Sequence, residues 1–139
     1  MPKENYTDEL IRVRYAETDQ MGHAYYANYL VWFEQSRSAF FRDRGFSYKE
    51  VEAMGFKLPV VEVHARYKAE IKYDDLIIVR VWIEEIKRSA VKMSYEIWNG
   101  EVLATEGYTW HVLVGSDFKA IRVPPELLEV VNRPGLSSS

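Results

Sequence analysis

The sequence predicts an α+β fold in which an antiparallel sheet curves around one long helix, and three observations predict it. Residues 27–44 contain no Gly or Pro and are apolar on nearly every side. Most of the chain after residue 60 alternates apolar and polar side chains at the period of a strand. These strand segments follow one another through short connections, which implies an antiparallel sheet, and the helix lies outside their run.

The first strand is expected over 9–15, where Ile11, Val13 and Tyr15 alternate with Arg12 and Arg14. A loop follows, with Asp19, Gly22 and His23 inside five positions. In the helix after it, Tyr29, Leu30, Val31, Trp32, Phe33, Ala39, Phe40 and Phe41 surround the axis almost completely. An ordinary surface helix shows one apolar stripe, so this one is expected to be buried on most sides. Arg42 and Arg44 suit the negative end of its dipole, and Gly45 suits the position just past its end. Ser47 and Glu50 have the spacing of a capping box, opening a short helix that runs to Met54 and closes at Gly55.

Five further strands are expected, over 61–72, 76–85, 90–98, 101–114 and 118–123. Asn99-Gly100 predicts a type I′ hairpin turn between the third and fourth of these. Pro124-Pro125-Glu126 starts a last helical turn or two, and 132–139 reads as a frayed tail. A single domain spanning 1–139, with its core over about 9–124, accounts for the whole chain. Long strands at the sheet edges call for pairing, so a dimer is the physical expectation.

Composition narrows the function. At 139 residues and 47% hydrophobic content the chain can bury a sizeable core. A net charge of -3 argues against nucleic acid as a partner. The absence of cysteine excludes disulfides, thiolate metal sites and a cysteine nucleophile. His64 and His111 sit in strand segments without metal-ligand spacing, so no metal is expected. The first eight residues lack the apolar core of a signal peptide, and no apolar run could span a membrane. A cytoplasmic protein is the expectation.

Read on its own, Asp19 serves either as an ionised nucleophile or water-orienting base, or as the cap of an Asx turn. Gly22 is either a ligand-approach position or an ordinary turn glycine. His23 could orient water or protonate a leaving group, or it could be structural. Glu34 could act as a carboxylate or simply pair with Arg37 or Tyr29. Lys87-Arg88-Ser89, at a turn between strands, offers two cations and a hydroxyl to a phosphate, or is a solvated charge run. Lys68, Lys72, Arg66 and Arg122 are weaker candidates for the same task.

The pattern Tyr15-x-x-Thr18-Asp19-x-x-Gly22-His23-x-x-Tyr26-x-x-Tyr29, followed by Phe33-Glu34, resembles the hotdog-fold acyl-CoA thioesterases. Its closer likeness is to the 4-hydroxybenzoyl-CoA thioesterase and Tol–Pal-associated branch. Tyr67, Tyr73-Asp74-Asp75 and Arg88-Ser89-Ala90 extend the match, which covers about Leu10 to Pro124. The resemblance implies a sheet wrapped round the helix and an edge-to-edge dimer, often assembled to a tetramer. It also implies acyl-CoA bound between subunits, with no cofactor beyond the CoA of the substrate. Asp19 falls on the family's catalytic aspartate, the amide of Tyr26 on the group that polarises the thioester carbonyl, and Lys87-Arg88-Ser89 near its phosphate contacts. Two positions depart from the pattern. Tyr26 stands where the Tol–Pal relatives commonly have histidine, and Glu70 where many relatives have proline. Other uses of the fold are a hydratase or dehydratase, with His23 and Glu34 as the pair, and a non-catalytic acyl-CoA sensor. The Asp19-centred motif favours hydrolysis over both.

Overall fold

The computed structural model describes residues 4–135. Five strands form one antiparallel sheet: β1 (Tyr6–Arg12), β2 (Val60–Tyr67), β3 (Leu76–Ile86), β4 (Ala90–Asn99) and β5 (Val102–Val112). Their spatial order is β1-β3-β4-β5-β2, which leaves β1 and β2 as the edges. Helix α1 (Asn28–Arg42) lies against one face of the sheet, and α2 (Tyr48–Glu52) and α3 (Pro125–Asn132) complete the fold.

Strand alternation decides what the sheet turns toward α1. Ile77, Val79, Val81 and Ile83 of β3 and Val91, Met93, Tyr95 and Ile97 of β4 are all buried. Phe33 of α1 stacks on Tyr95, with ring centroids 4.2 Å apart and planes at 12°. Opposite Phe33 on β5 is Gly107. A β-carbon there would lie 2.8 Å from Phe33 Cζ and 2.5 Å from the carbonyl oxygen of His64, so a side chain is excluded where helix and sheet meet.

Helix α1 is less enclosed than its composition predicts. Trp32, Phe33, Phe40 and Phe41 are buried, but Leu30 and Val31 are 42% and 47% exposed in this chain alone. Its C-terminus follows the expected chemistry. Gly45 takes φ +97°, its N–H donates to the Arg42 carbonyl, and the Phe46 N–H donates to that of Phe41. This is a Schellman closure. Ser47 and Glu50 exchange both capping-box hydrogen bonds at 3.1 Å, as their spacing predicts.

Several expected boundaries move. β1 spans Tyr6–Arg12, three residues earlier than expected, and Tyr15 falls in a 3₁₀ turn (Tyr15–Glu17) with its ring 76% exposed. β2 ends at Tyr67, although the alternation continues to residue 72. The hairpin after β4 pairs Asn99 with Val102, which makes Gly100 and Glu101 the central pair. Of these only Gly100 has positive φ, at +64°, so the turn follows the II′ rather than the I′ pattern. No strand forms over 118–123. That segment is tied down by single bonds instead, among them Ile121 N–H to the Leu113 carbonyl at 2.9 Å and Val123 N–H to the Arg88 carbonyl at 2.8 Å.

The part of the expected tail that falls within the described residues is anchored. Asn5 Nδ2 donates to the carbonyls of Val131 and Arg133, and Gly135 N–H donates to Asn5 Oδ1. Beneath them the buried Arg44 guanidinium donates to Thr7 Oγ1, the Phe40 carbonyl and Asn5 Oδ1. Burial lowers the Arg44 pKa to about 10, against the opposing pull of Asp43. Residues 136–139 of the expected tail lie outside the described residues.

A directional hydrogen-bond chain runs through the core between α1 and the sheet. The Leu58 carbonyl can only accept, so His111 Nδ1 donates to it, at 3.0 Å. In the neutral ring Nε2 is then an acceptor, and the Thr109 hydroxyl donates to it at 2.7 Å. The Tyr95 hydroxyl donates to Thr109 Oγ1 at 2.7 Å, and Arg37 Nη1 donates to Tyr95 at 3.2 Å. Every group is satisfied only while His111 is neutral. Burial lowers the His111 pKa to about 4 from its ordinary 6.5.

Two outcomes follow. Gly107→Ala should destabilise the protein by about 1–3 kcal/mol in urea unfolding, because its neighbour at 2.5 Å is backbone and cannot swing aside. Between pH 6.5 and 4 the unfolded chain binds a proton at residue 111 that the folded chain does not. Stability should therefore fall on acidification through that window, by up to about 3 kcal/mol from this group. His111→Gln should flatten that part of the stability profile.

Candidate functional site

The loop between β1 and α1 is fastened to the start of β3 and to the segment before it. Val13 N–H donates to the Asp75 carbonyl, and the Asp74 N–H returns the bond to Val13, both at 2.9 Å. Farther along, Ala24 N–H donates to the Ile71 carbonyl at 2.7 Å, and Tyr73 N–H to that of Gly22 at 3.0 Å.

Within the loop, Asp19 closes a tight turn on itself. Its Oδ1 accepts from the amides of Met21 at 2.9 Å and His23 at 3.2 Å. Its own N–H donates to the His23 carbonyl at 2.8 Å, and its carbonyl accepts from Gly22 N–H at 3.0 Å. The Asx-turn geometry is therefore real, but it uses one oxygen. Asp19 is exposed, and Oδ2 has no protein partner among the described residues. Gly22 takes φ +77° with nothing within 4 Å of where a β-carbon would be. Backbone conformation, not crowding, is what requires glycine there.

At the far side of the loop the chain enters α1 through Tyr25, Tyr26 and Ala27. Tyr25 N–H donates to the Glu17 carbonyl at 2.9 Å, and Asn28 N–H to that of Tyr25 at 2.9 Å. The amides of Tyr26 and Ala27 have no acceptor among the described residues. They stand at the positive end of the helix dipole. The Tyr26 ring is 62% exposed and lies against Tyr25, with centroids 4.6 Å apart.

Beside this entry is a pocket of about 340 Å³ lined by His23, Tyr26, Tyr29, Tyr67, Glu70 and Ile71, among others. Tyr29 is buried between Trp32 and Tyr67, with centroids at 5.0 and 4.7 Å. Burial, and then Tyr67, pushes its hydroxyl up to about 12, so it stays protonated and can donate. His23 Nε2 lies 3.6 Å from Glu70 Oε2. The structure thus brings His23 and Tyr26 to one pocket; Asp19 is bonded to the His23 backbone, but neither it nor Gly22 is among the lining residues. Glu34, exposed on α1, is not among the lining residues. The pairing of His23 with Glu34 that a hydratase would need is absent from the pocket.

Lys87-Arg88-Ser89 lies elsewhere in the same chain. It forms the turn from β3 to β4, whereas the Asp19 loop is fastened near the start of β3. The 11 residues of β3 separate them by roughly 33 Å. Lys87 and Arg88 are exposed, with Lys87 Nζ 4.8 Å from the Trp110 ring centroid. Of the weaker candidates, Lys68 pairs with Glu106 at 2.7 Å and Lys72 lies 3.9 Å from Glu70, while Arg66 and Arg122 are exposed. Among the described residues no three His, Asp or Glu side chains converge as a metal site requires.

Sequence reasoning missed Glu17. Its side chain is 5% exposed, its Oε1 accepts from Arg14 N–H at 2.8 Å, and its Oε2 accepts from Trp32 Nε1 at 2.9 Å. Its only sequence signal is an acid two positions before Asp19, opposite an indole that needs an acceptor once buried. It also missed the contact of Glu70 with His23, since Glu70 read only as a departure at a strand bend.

The family model for the thioesterase-like superfamily matches residues 13–131. The putative acyl-CoA thioesterase YneP of Bacillus subtilis is 42% identical over 115 residues, covering 81% of this chain and 83% of its own. Among solved structures, the DHNA-CoA thioesterase of Staphylococcus aureus aligns at 38% identity with a TM-score of 0.82, covering 90% of this chain and 87% of that one. A hypothetical protein of Aquifex aeolicus, AQ1494, aligns at 30% identity and TM-score 0.86, covering 91% and 99%.

Proposed function

The chain belongs to the thioesterase-like superfamily and has its hotdog fold, and on that premise we propose that it hydrolyses acyl-CoA to a free acid and CoA. The observation that carries this reading is the pairing of a half-used carboxylate with unbonded amides. Asp19 has one oxygen held by its own turn and the other free, and across the loop the Tyr26 and Ala27 amides lack acceptors. With the thioester carbonyl at the Tyr26 amide, charge developing on its oxygen is met by an N–H and the helix dipole. One such donor contributes about 2.7–4 kcal/mol in the transition state. Asp19 Oδ2 then acts in one of two ways. It attacks the carbonyl carbon, expelling CoA thiolate and leaving an anhydride for water to cleave, or it takes the proton of an attacking water. His23 and the Tyr29 hydroxyl line the space where the acyl group or the water lies.

The reading is completed by a second copy. β2 is an edge strand whose residues are nearly all exposed, and Val60, Val61, Val63 and Tyr67 are left uncovered, with Leu30 and Val31 of α1 exposed as well. A two-fold pairing of β2 with its copy is antiparallel and buries this row. It also sets the partner's end of the sheet that carries the β3–β4 turn beside the pocket at the Tyr67 end of β2. Lys87, Arg88 and Ser89 then serve the CoA phosphates of the other subunit's site, which accounts for their distance from Asp19 within one chain.

Asp19→Asn should lower kcat by about 10²–10⁴-fold while dimer and melting temperature are kept, because Asn Oδ1 still caps the turn. Near-normal turnover in that variant would end the assignment. Arg88→Ala should raise KM for acyl-CoA about tenfold and leave a CoA-free thioester unaffected. Mixed dimers of Asp19→Asn and Arg88→Ala chains should recover one site with normal KM; recovery of none would place Arg88 in its own subunit's site.

A further inference from the structure

We propose that Glu17 is a positioning residue that fixes the distance between Asp19 and the amides ahead of α1, and so sets the rate of the thioester step. The inference rests on the acyl-CoA hydrolase reading above.

The loop that carries Asp19 has two ends, and Glu17 holds both. On one side its Oε1 receives the Arg14 N–H at 2.8 Å, closing the 3₁₀ turn that leads to Asp19 two positions later. On the other side its Oε2 receives Trp32 Nε1 at 2.9 Å, from the interior of α1. Its carbonyl accepts twice more, from Tyr25 N–H and from Asn28 Nδ2, both at 2.9 Å. Tyr25 and Asn28 bracket Tyr26 and Ala27, whose amides are the unbonded donors. A displacement of Glu17 relative to α1 therefore moves the acid relative to the carbonyl-polarising group.

The choice of a carboxylate here is informative. Burying one is costly unless its oxygens are bonded. The nearby cation, Arg14 Nε, is 3.6 Å away on a largely exposed side chain. A carboxylate supplies two acceptor oxygens with no donor, one for each side of the loop. Glutamine supplies one, and must turn its amide nitrogen toward either the Arg14 N–H or the Trp32 indole.

Steady-state kinetics of the full chain, with the acyl-CoA that the wild type hydrolyses fastest, test this. Glu17→Gln and Trp32→Phe should each lower kcat about ten- to hundredfold, the scale expected of a small misplacement of reacting groups. KM should stay within about twofold, since neither side chain lines the pocket. The double variant should lose less than the product of the two, because the glutamine amide then faces a ring without a donor. A kcat unchanged in either folded single variant overturns the proposal, as does activity that merely tracks the folded fraction by circular dichroism. Should Glu17→Gln fail to fold, Trp32→Phe cuts one of the same bonds and decides the question in its place. The outcomes separate from the parent reading: loss of turnover in Asp19→Asn alone would remove this inference and keep the hydrolase, while activity in Asp19→Asn would remove the hydrolase itself.

Discussion

The contact of Phe33 with Tyr95 and Gly107 is the constraint on which the remaining geometry depends. A helix can lie this close to the sheet only where the strand beneath it has no side chain, and Gly107 is that place. Once Phe33 is seated there, stacked on Tyr95, the height of α1 above the sheet is set along its length. The depth of Trp32 and Tyr29 follows, and with them the wall of the pocket. The hydroxyl of Tyr95 also starts the run of hydrogen bonds toward His111. Packing and polar satisfaction thus meet at one aromatic pair.

Most of the fold was legible in the residues. The Gly- and Pro-free run marked α1, the Ser47–Glu50 spacing marked the cap of α2, and the alternation over 76–85 and 90–98 marked β3 and β4. The departures share a cause, because local pattern cannot see neighbours. The 61–72 alternation reads as a half-buried strand, yet at the sheet edge every residue of β2 except Ala65 is exposed within one chain. Asn99-Gly100 marks a hairpin, but cross-strand register decides which two residues occupy its centre, and it moved the pair by one. Leu30 and Val31 looked like core because they are apolar.

The candidate site was legible in its residue types and less so in its layout. Asp19 and Tyr26 are near in sequence, and backbone bonds from Asp19 to His23 and from Tyr25 to Glu17 hold the loop between them. Lys87-Arg88-Ser89 offers cations and a hydroxyl by residue type, but nothing in a linear spacing says which end of a strand a turn occupies. Glu17 was invisible for the opposite reason. An acid in a loop reads as solvated, and only the burial of Trp32 beside it reveals that a carboxylate is required.

The two ends of the described chain are sewn to each other at Arg44, through Asn5, Arg133 and Gly135. This knot sits under the C-terminal end of α1, while the Asp19 loop opens at its N-terminal end, with the full 15 residues of the helix between them. The described part of the chain is therefore close to a closed ring with its seam placed away from the pocket. A ring of that kind can be reopened elsewhere or extended at the seam, and the helix insulates the pocket from whatever is attached.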